Sequence, residues 1–265
     1  MDTRLKAIVL AAGKGTRMQT EEDDAPKVMR RACGKPLLQY VLDALSFIDK
    51  KDTVIVAGYK KDEVIDSFRG YTYAVQTEQL GTGHAVMAAA PELAEFEGAV
   101  LVCYGDMPAV SQDTYKTLVQ AHFEQDNECT ILTGEYAVPE GEQYVKLPYG
   151  RILRDRDGTF LHVVEDRDCT PEQKKITELN SGVYVFRAQP LLRALASLKS
   201  DNSQGEYYLT DVPAILRAGG ARVGTLKREL GDEIIGVNTP EQLAQIEKIL
   251  SSAIDLTLRL NQRSL

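Results

Sequence analysis

Short, continuous apolar runs alternate along the first half of the chain with stretches whose apolar positions recur every three or four residues. Segments 5–10, 53–57 and 99–104 are apolar almost throughout, as expected of strands covered on both faces of a parallel sheet. Segments 71–76 and 129–135 read as further strands. Between them, Leu37, Leu38, Val41, Leu42 and Leu45 fall at helical spacing behind Gly34-Lys35-Pro36, with Pro36 in the first turn, and are expected to face the sheet. Short helices are expected over 61–69 and 84–90, and a longer one, capped by Ser111, to about 126. Strands and helices alternating through short links predict an α/β fold with a Rossmann-like, doubly wound, mostly parallel sheet.

The rhythm changes in the second half. Segments 150–154 and 160–165 flank Asp155-Arg156-Asp157-Gly158, a hairpin by its Asp-Gly. A polar turn is expected over 171–175, a strand over 180–186, and a helix over 189–198. Another helix ends near 218, and strands follow at 223–227 and 234–237. Asn238-Thr239-Pro240 opens the last helix, whose stripe Leu243, Ile246, Leu250 and Ile254 either packs on its own domain or mates with a second copy. The oligomeric state stays open. With no internal repeat, low-complexity tract or linker, the second half reads as an extension folded over the first. The expected division is one body over 1–250, with halves at about 1–135 and 136–250, and a C-terminal helix and tail over 241–265.

Composition narrows the partners. Of 265 residues, 43% are hydrophobic and 26% charged, ordinary for a globular domain large enough to bury a full core. A net charge of −8 argues against a nucleic-acid polymer, which needs a basic face. No apolar run approaches the ~20 residues of a membrane helix. Met1-Asp2-Thr3-Arg4 leads straight into a strand, with no signal-peptide pattern. The cysteines Cys33, Cys103, Cys129 and Cys169 show no paired spacing, so reduced thiols, no zinc site and a cytoplasmic location are expected.

In doubly wound sheets ligands bind outside the carboxyl ends of the strands. Three segments with unusual chemistry end at that edge: the loop at Gly13, the loop at Gly81, and Asp106. Gly13 and Gly15 can take positive φ and bring backbone N–H groups to phosphate oxygens, while Lys14, Arg17 and Lys27 bring cations to the same mouth. The bland alternative is a strand-to-helix turn with solvated cations. Asp106, ahead of Met107-Pro108, is either a cap or a metal ligand; Asn238, ahead of Thr239-Pro240, is either a second oxygen donor or a helix cap. His84 reads as a first-turn helix residue, His122 as mid-helix, and His162 as part of a hairpin strand. None comes with triad partners. Glu165 and Asn180 suit hydrogen bonds to a polyol or plain surface positions, and Tyr207 and Tyr208 suit packing or a hydroxyl placed near a phosphate.

Taken together these motifs carry a resemblance. Leu10-Ala11-Ala12-Gly13-Lys14-Gly15-Thr16-Arg17-Met18 with Pro26-Lys27-Val28 resembles the nucleotide loop of the nucleotide-diphospho-sugar transferase superfamily. Gln76-Thr77-Glu78-Gln79-Leu80-Gly81-Thr82-Gly83-His84-Ala85 is similar to a stretch particular to the uridylyltransferase domain of bacterial N-acetylglucosamine-1-phosphate uridylyltransferases. So are Tyr104-Gly105-Asp106, Tyr149-Gly150-Arg151-Ile152, Val164-Glu165, Leu179-Asn180-Ser181-Gly182, the stretch from Gln204 to Asp211, and Gly236-Val237-Asn238.

The resemblance implies a smaller sugar-binding β lobe and a reaction: UTP and N-acetylglucosamine 1-phosphate give UDP-N-acetylglucosamine and pyrophosphate. It implies Leu10, Ala11, Ala12, Gly13, Lys14, Gln76, Gly81 and Thr82 around the nucleotide, with Arg17 and Lys27 acting on the triphosphate. It implies Tyr104, Gly105, Gly150, Glu165, Asn180, Tyr208 and Thr210 around the sugar phosphate, and Mg²⁺ on Asp106 and Asn238. Positioning and charge neutralisation do the work of such a transfer, so cations are needed and a triad is not. Gln76 is expected to read uracil, because cytosine's amino group would set donors against donors.

Three departures from the pattern stand out. Thr20 to Ala25 lengthens the segment before Pro26-Lys27 with four acidic residues, and Ser181 replaces the usual Thr. The family continues into a hexapeptide-repeat acetyltransferase, whereas this sequence runs to Leu265 without such repeats, so no acetyl-CoA-dependent activity is expected. The rival readings are a nucleotidyltransferase for another sugar 1-phosphate and a non-catalytic nucleotide-sugar sensor.

Overall fold

The computed structural model describes residues 3–18, 24–135 and 148–262, with side chains as far as 253. The strands are β1 (Leu5–Ala11), β2 (Arg31–Ala32), β3 (Lys35–Pro36), β4 (Thr53–Ala57), β5 (Thr72–Val75) and β6 (Ala99–Tyr104) in the first part of the chain. There follow β7 (Cys129–Glu135), β8 (Arg151–Arg154), β9 (Phe160–Val164), β10 (Glu178–Arg187) and β11 (Val223–Arg228). The helices are α1 (Leu37–Ala44), α2 (Lys61–Ser67), α3 (Thr82–Ala88), α4 (Gln112–Glu124), α5 (Ala188–Leu195), α6 (Val212–Ala218) and α7 (Pro240–Gln262).

The main sheet runs β11-β7-β10-β6-β1-β4-β5, with the β8–β9 hairpin attached to β10 through Leu179 and Arg151. It is a mixed, mostly parallel sheet of the doubly wound α/β class. β1 lies parallel to β4 and β6, and β4 parallel to β5, while β10 is antiparallel to both of its neighbours. β10 sits between β6 and β7, so strands from both halves of the chain share one sheet. Because β10 runs against β6, its first residues, including Asn180, reach the edge where β1 and β6 end.

Alternation along each strand sends side chains to two apolar layers. Ile8 and Leu10 face α3, α5 and α6 with Ala85, Val86, Leu191 and Val212. Ala7 and Val9 face α1, α2 and α4 with Leu38, Val41, Val64 and Leu118. A third cluster joins Met18, Ala32, Leu37, Val237 and Ile246, with Leu243, Ile249 and Leu250 packed against it. The apolar stripe of α7 therefore packs on its own domain and pins Met18, at the end of the glycine loop. Ile254 lies outside the described side chains.

Three local expectations change. Pro36 precedes α1 rather than entering its first turn, because Lys35 and Pro36 pair with Ala32 and Arg31 in a small hairpin. Leu37 turns toward α7 and away from the sheet. Segment 234–237 is no strand: a 3-10 turn, Gly231–Ile234, leads into irregular backbone, because Val237 is buried among the apolar residues under α7 and has no strand beside it. Among the described residues no helix is long and apolar enough to cross a membrane.

Candidate active site

Two pockets open side by side at the carboxyl ends of β1 and β6. The first is lined by Leu10, Ala12, Gly13, Gln76, Gln79, Gly81, Thr82 and Glu206. The second is lined by Tyr149, Gly150, Glu165, Asn180, Ser181, Gly182, Thr210 and Asn238. Lys27, Tyr104 and Asp106 line both. This shared wall is the feature that makes one site of two cavities.

Lys27 opens a 3-10 turn after Pro26 and leans on the glycine loop. Gly15 has φ +65°, and a Cβ there would lie 2.6 Å from the Cβ of Lys27, so only glycine lets the loop close against it. Gly13, by contrast, does not take positive φ. It is exposed and lines the first pocket.

The Lys27 ammonium forms an ion pair with Asp106 and donates to Asn238 Oδ1 at 2.9 Å. Asp106 keeps only 10% of its side chain exposed, and Lys27 16%, so the charges attract in a partly desolvated place. Asp106 and Asn238 are also tied through the backbone, the Val237 N–H donating to the Asp106 carbonyl at 2.9 Å. The helix-cap reading of Asn238 fails. The Thr239 hydroxyl accepts from the Gln242 N–H at 3.3 Å, while the Asn238 side chain bonds Lys27 and the Gly236 carbonyl. Two oxygens that contact one cationic nitrogen can equally meet one metal ion, and hard oxygen donors suit a small divalent cation.

In the second pocket the Thr210 hydroxyl donates to Glu165 at 2.9 Å, and burial pushes the Glu165 carboxyl above its ordinary value. Asn180 sits at a bulge of β10, its Oδ1 accepting from the Gly182 N–H and its amide donating to the Tyr184 hydroxyl at 2.7 Å. The Ser181 hydroxyl donates to the Leu132 carbonyl at 2.7 Å and accepts from the Val183 N–H. It is committed to the backbone. Burial raises the Tyr104 phenol.

Not every expected residue lines these pockets. Arg17 is exposed in the turn Thr16–Met18 and lines neither. Lys14 lies over the Tyr59 ring and borders a third cavity that shares Gln76 and Gln79 with the first. Ala11 is buried within β1 beside Ala57, and the Gly105 N–H donates to the Leu10 carbonyl; both shape the edge from behind. Tyr208 is buried with its hydroxyl held by Gln204 at 2.8 Å, away from both linings. Of the acidic segment 20–25, residues 20–23 lie outside the described residues, and Asp24 pairs with Lys60 at 2.5 Å. Gln79, Glu206, Tyr149 and Gly182 line the pockets without having been singled out. Each stands in a motif quoted above, and nothing but the fold turns it inward.

Segment 7–212 matches the profile of the MobA-like NTP transferase domain. The chain belongs to that family. Among the curated relatives that this chain matches is the bifunctional protein GlmU of Clostridioides difficile strain 630. It is 40% identical over 251 residues, which cover 94% of this chain and 52% of the relative. The bifunctional protein GlmU of Lactobacillus delbrueckii subsp. bulgaricus is 43% identical over 249 residues, again 94% of this chain and 52% of the relative. The chain thus spans about half the length of the curated relatives it matches. A crystal structure described as a glucose-1-phosphate thymidylyltransferase from Bacillus anthracis, in complex with sucrose, superposes with a TM-score of 0.68. It is 18% identical and covers 93% of this chain and 95% of that one. At that identity it speaks for the fold alone.

Proposed function

We propose that the chain transfers a uridylyl group from UTP to N-acetylglucosamine 1-phosphate, giving UDP-N-acetylglucosamine and pyrophosphate. The observation that carries the reading is the wall of Lys27, Tyr104 and Asp106 shared by a glycine-loop pocket and a polar pocket. A nucleotide in the first and a sugar phosphate in the second would bring their phosphates together there. Membership of an NTP transferase family and the GlmU relatives support the same assignment.

In this reading a sugar-phosphate oxygen bonds to the α-phosphorus of UTP as the bond from that phosphorus to the bridging oxygen of pyrophosphate breaks. Backbone N–H groups near Gly13 and the side chains of Lys14, Arg17 and Lys27 hold and neutralise the triphosphate. Glu165, Asn180, Thr210 and the Gly150 backbone hold the hexosamine. Asp106 and Asn238 would hold Mg²⁺, whose chemistry when bound is to offset phosphate charge as the α-phosphate is attacked. No group needs to shuttle a proton, because the attacking phosphate is already ionised.

Gln76 also differs in detail from the donor-against-donor expectation. Its amide nitrogen donates to the Gly81 carbonyl and faces His84, leaving the amide oxygen as its hydrogen-bonding atom for a base.

The test is pyrophosphate release from UTP with a panel of sugar 1-phosphates. Release with N-acetylglucosamine 1-phosphate well above that with glucose 1-phosphate is expected. A preference for another sugar would replace the substrate, and UTP binding without release in every pairing would return the sensor reading.

A further inference from the structure

We propose that His84 sets the base selectivity of the nucleotide pocket by fixing which atom of the Gln76 amide faces the base. The proposal rests on the uridylyl-transfer reading and gives that site a selectivity device. Gln76 stands just after β5, lines the pocket, and is 6% exposed. One atom of its amide lies 3.1 Å from the Gly81 carbonyl oxygen. A carbonyl only accepts, so that atom is the nitrogen, and turning the amide over would set oxygen against oxygen. The same nitrogen lies 3.2 Å from His84 Nδ1. With one amide proton on Gly81, the other points to Nδ1, which must then carry a lone pair. His84 is therefore the tautomer with its proton on Nε2.

Both N–H groups of Gln76 are spent inside the protein. Its Oε1 has no partner among the described residues, and it is all that this side chain can offer a ligand. A lone acceptor on a buried side chain selects a donor. The imide N3–H of uracil supplies one. Cytosine presents a lone pair at the same ring position, and a buried acceptor set against an acceptor goes unpaired. With two anchors the amide cannot turn to suit cytosine. With His84 gone, only the Gly81 carbonyl holds it.

The surroundings keep the anchors fixed. His84 lies in the first turn of α3, where its ring sits beside that of Tyr207 with centroids 6.4 Å apart. The Tyr207 N–H donates to the Leu80 carbonyl at 2.8 Å and the Gly83 N–H to the Tyr207 carbonyl at 2.7 Å, clamping Gly81 between them. His84 is a positioning residue: it acts on the base through Gln76.

The experiment compares wild type, His84→Leu and His84→Asn for kcat/KM with UTP and CTP at saturating sugar 1-phosphate. Thermal melts serve as the folding control. Leucine removes the acceptor and keeps bulk, whereas the Oδ1 of asparagine takes the place of Nδ1. His84→Leu should lower the UTP-to-CTP ratio roughly tenfold, the worth of one anchoring hydrogen bond, with the KM for sugar 1-phosphate unchanged. His84→Asn should restore most of the ratio. Separately, two-bond ¹H–¹⁵N spectra of the wild type, with His84 assigned by its loss in His84→Asn, should show the Nε2–H tautomer. An unchanged ratio in folded His84→Leu, or an Nδ1–H tautomer, overturns the proposal. If the wild type releases no pyrophosphate from UTP, the uridylyl-transfer reading fails instead, and the tautomer together with UTP and CTP binding by calorimetry still judges His84.

Discussion

Lys27 and Asn238, 211 positions apart in sequence, meet through a 2.9 Å hydrogen bond from the lysine ammonium to the asparagine amide oxygen. The same ammonium pairs with Asp106, so one cation ties together the two residues expected to hold another. The arrangement marks a place where positive charge is favoured. It also gives Lys27 a partner that a bound phosphate would have to displace.

Asp106→Ala should abolish turnover with the fold intact. Loss of such electrostatic stabilisation costs roughly a hundredfold or more in rate. Asn238→Ala should lower turnover less and raise the Mg²⁺ concentration needed for half-maximal rate, because it removes a neutral donor and leaves the charge. Steady-state rates across a Mg²⁺ series, with circular dichroism as control, decide it. Near-normal turnover of Asp106→Ala at limiting Mg²⁺ would remove Asp106 from the site.

Lys27→Met gives a reading that does not depend on turnover. Without the ammonium, a largely buried carboxylate and an amide oxygen face each other unpaired, which costs about 1–3 kcal/mol of stability. A cation bound only by the folded state stabilises it by mass action. The variant should therefore melt lower than wild type in chelator and gain more than wild type from added Mg²⁺. Equal Mg²⁺ shifts in both proteins would argue against a shared cation place.

How much of this was legible in the sequence depends on what each signal can encode. β4 and β6 match their expected bounds because each is a nearly continuous apolar run closed by turn chemistry, Gly58 after Ala57 and Gly105 after Tyr104, and β7 matches although Thr130 and Thr133 interrupt its apolar residues. Pattern says nothing of pairing direction, however, so β10 entering antiparallel between β6 and β7 was not legible. Ile234 to Val237 misled for a related reason. Four residues, three of them aliphatic, fit a strand or a plug under α7 equally well, and only the tertiary surroundings choose. At the site, Asp106 and Lys27 were visible as charged residues beside strand ends and glycines. Asn238 was ambiguous because asparagine caps helices, and its neighbour Thr239 took that task. His84 carried no signal beyond its place in a helix, since its partner Gln76 is recruited by the turn at Gly81.

Away from the site, His122 should weaken the protein in acid. It is fully buried, its Nδ1 lies 3.0 Å from the Thr130 hydroxyl, and burial, reinforced by Arg187 and opposed by Asp126, lowers its pKa to about 4. The unfolded chain, with an ordinary histidine near 6.5, binds the proton more readily. Stability is therefore unaffected above that value and falls as pH drops from about 6.5 toward 4, by no more than about 3 kcal/mol. Urea midpoints at pH 7.5 and pH 5 should diverge in the wild type and converge in His122→Gln. An unchanged pH dependence in the variant would assign the loss to other groups.

Glu165→Gln and Gly182→Ala should separate the two pockets from the wall between them. Glu165 lines only the polar pocket, where it accepts from Thr210. Its replacement by glutamine should raise the KM for sugar 1-phosphate, roughly tenfold for one weakened hydrogen bond, and leave the KM for UTP in place. Gly182 acts at the boundary. Its φ is +81°, a region that strains any other residue, and a Cβ there would come within 2.5 Å of the Tyr104 ring. Tyr104 is half-buried and lines both pockets, so it cannot yield to one without moving in the other. Backbone strain of this kind costs on the order of 1–3 kcal/mol, which a domain of this size tolerates, so the variant should fold. Both KM values should rise together in Gly182→Ala. The further change Tyr104→Ala, by making room for the methyl group, should recover stability relative to Gly182→Ala without recovering turnover. A KM change confined to the sugar phosphate in Gly182→Ala would show that Tyr104 does not couple the pockets.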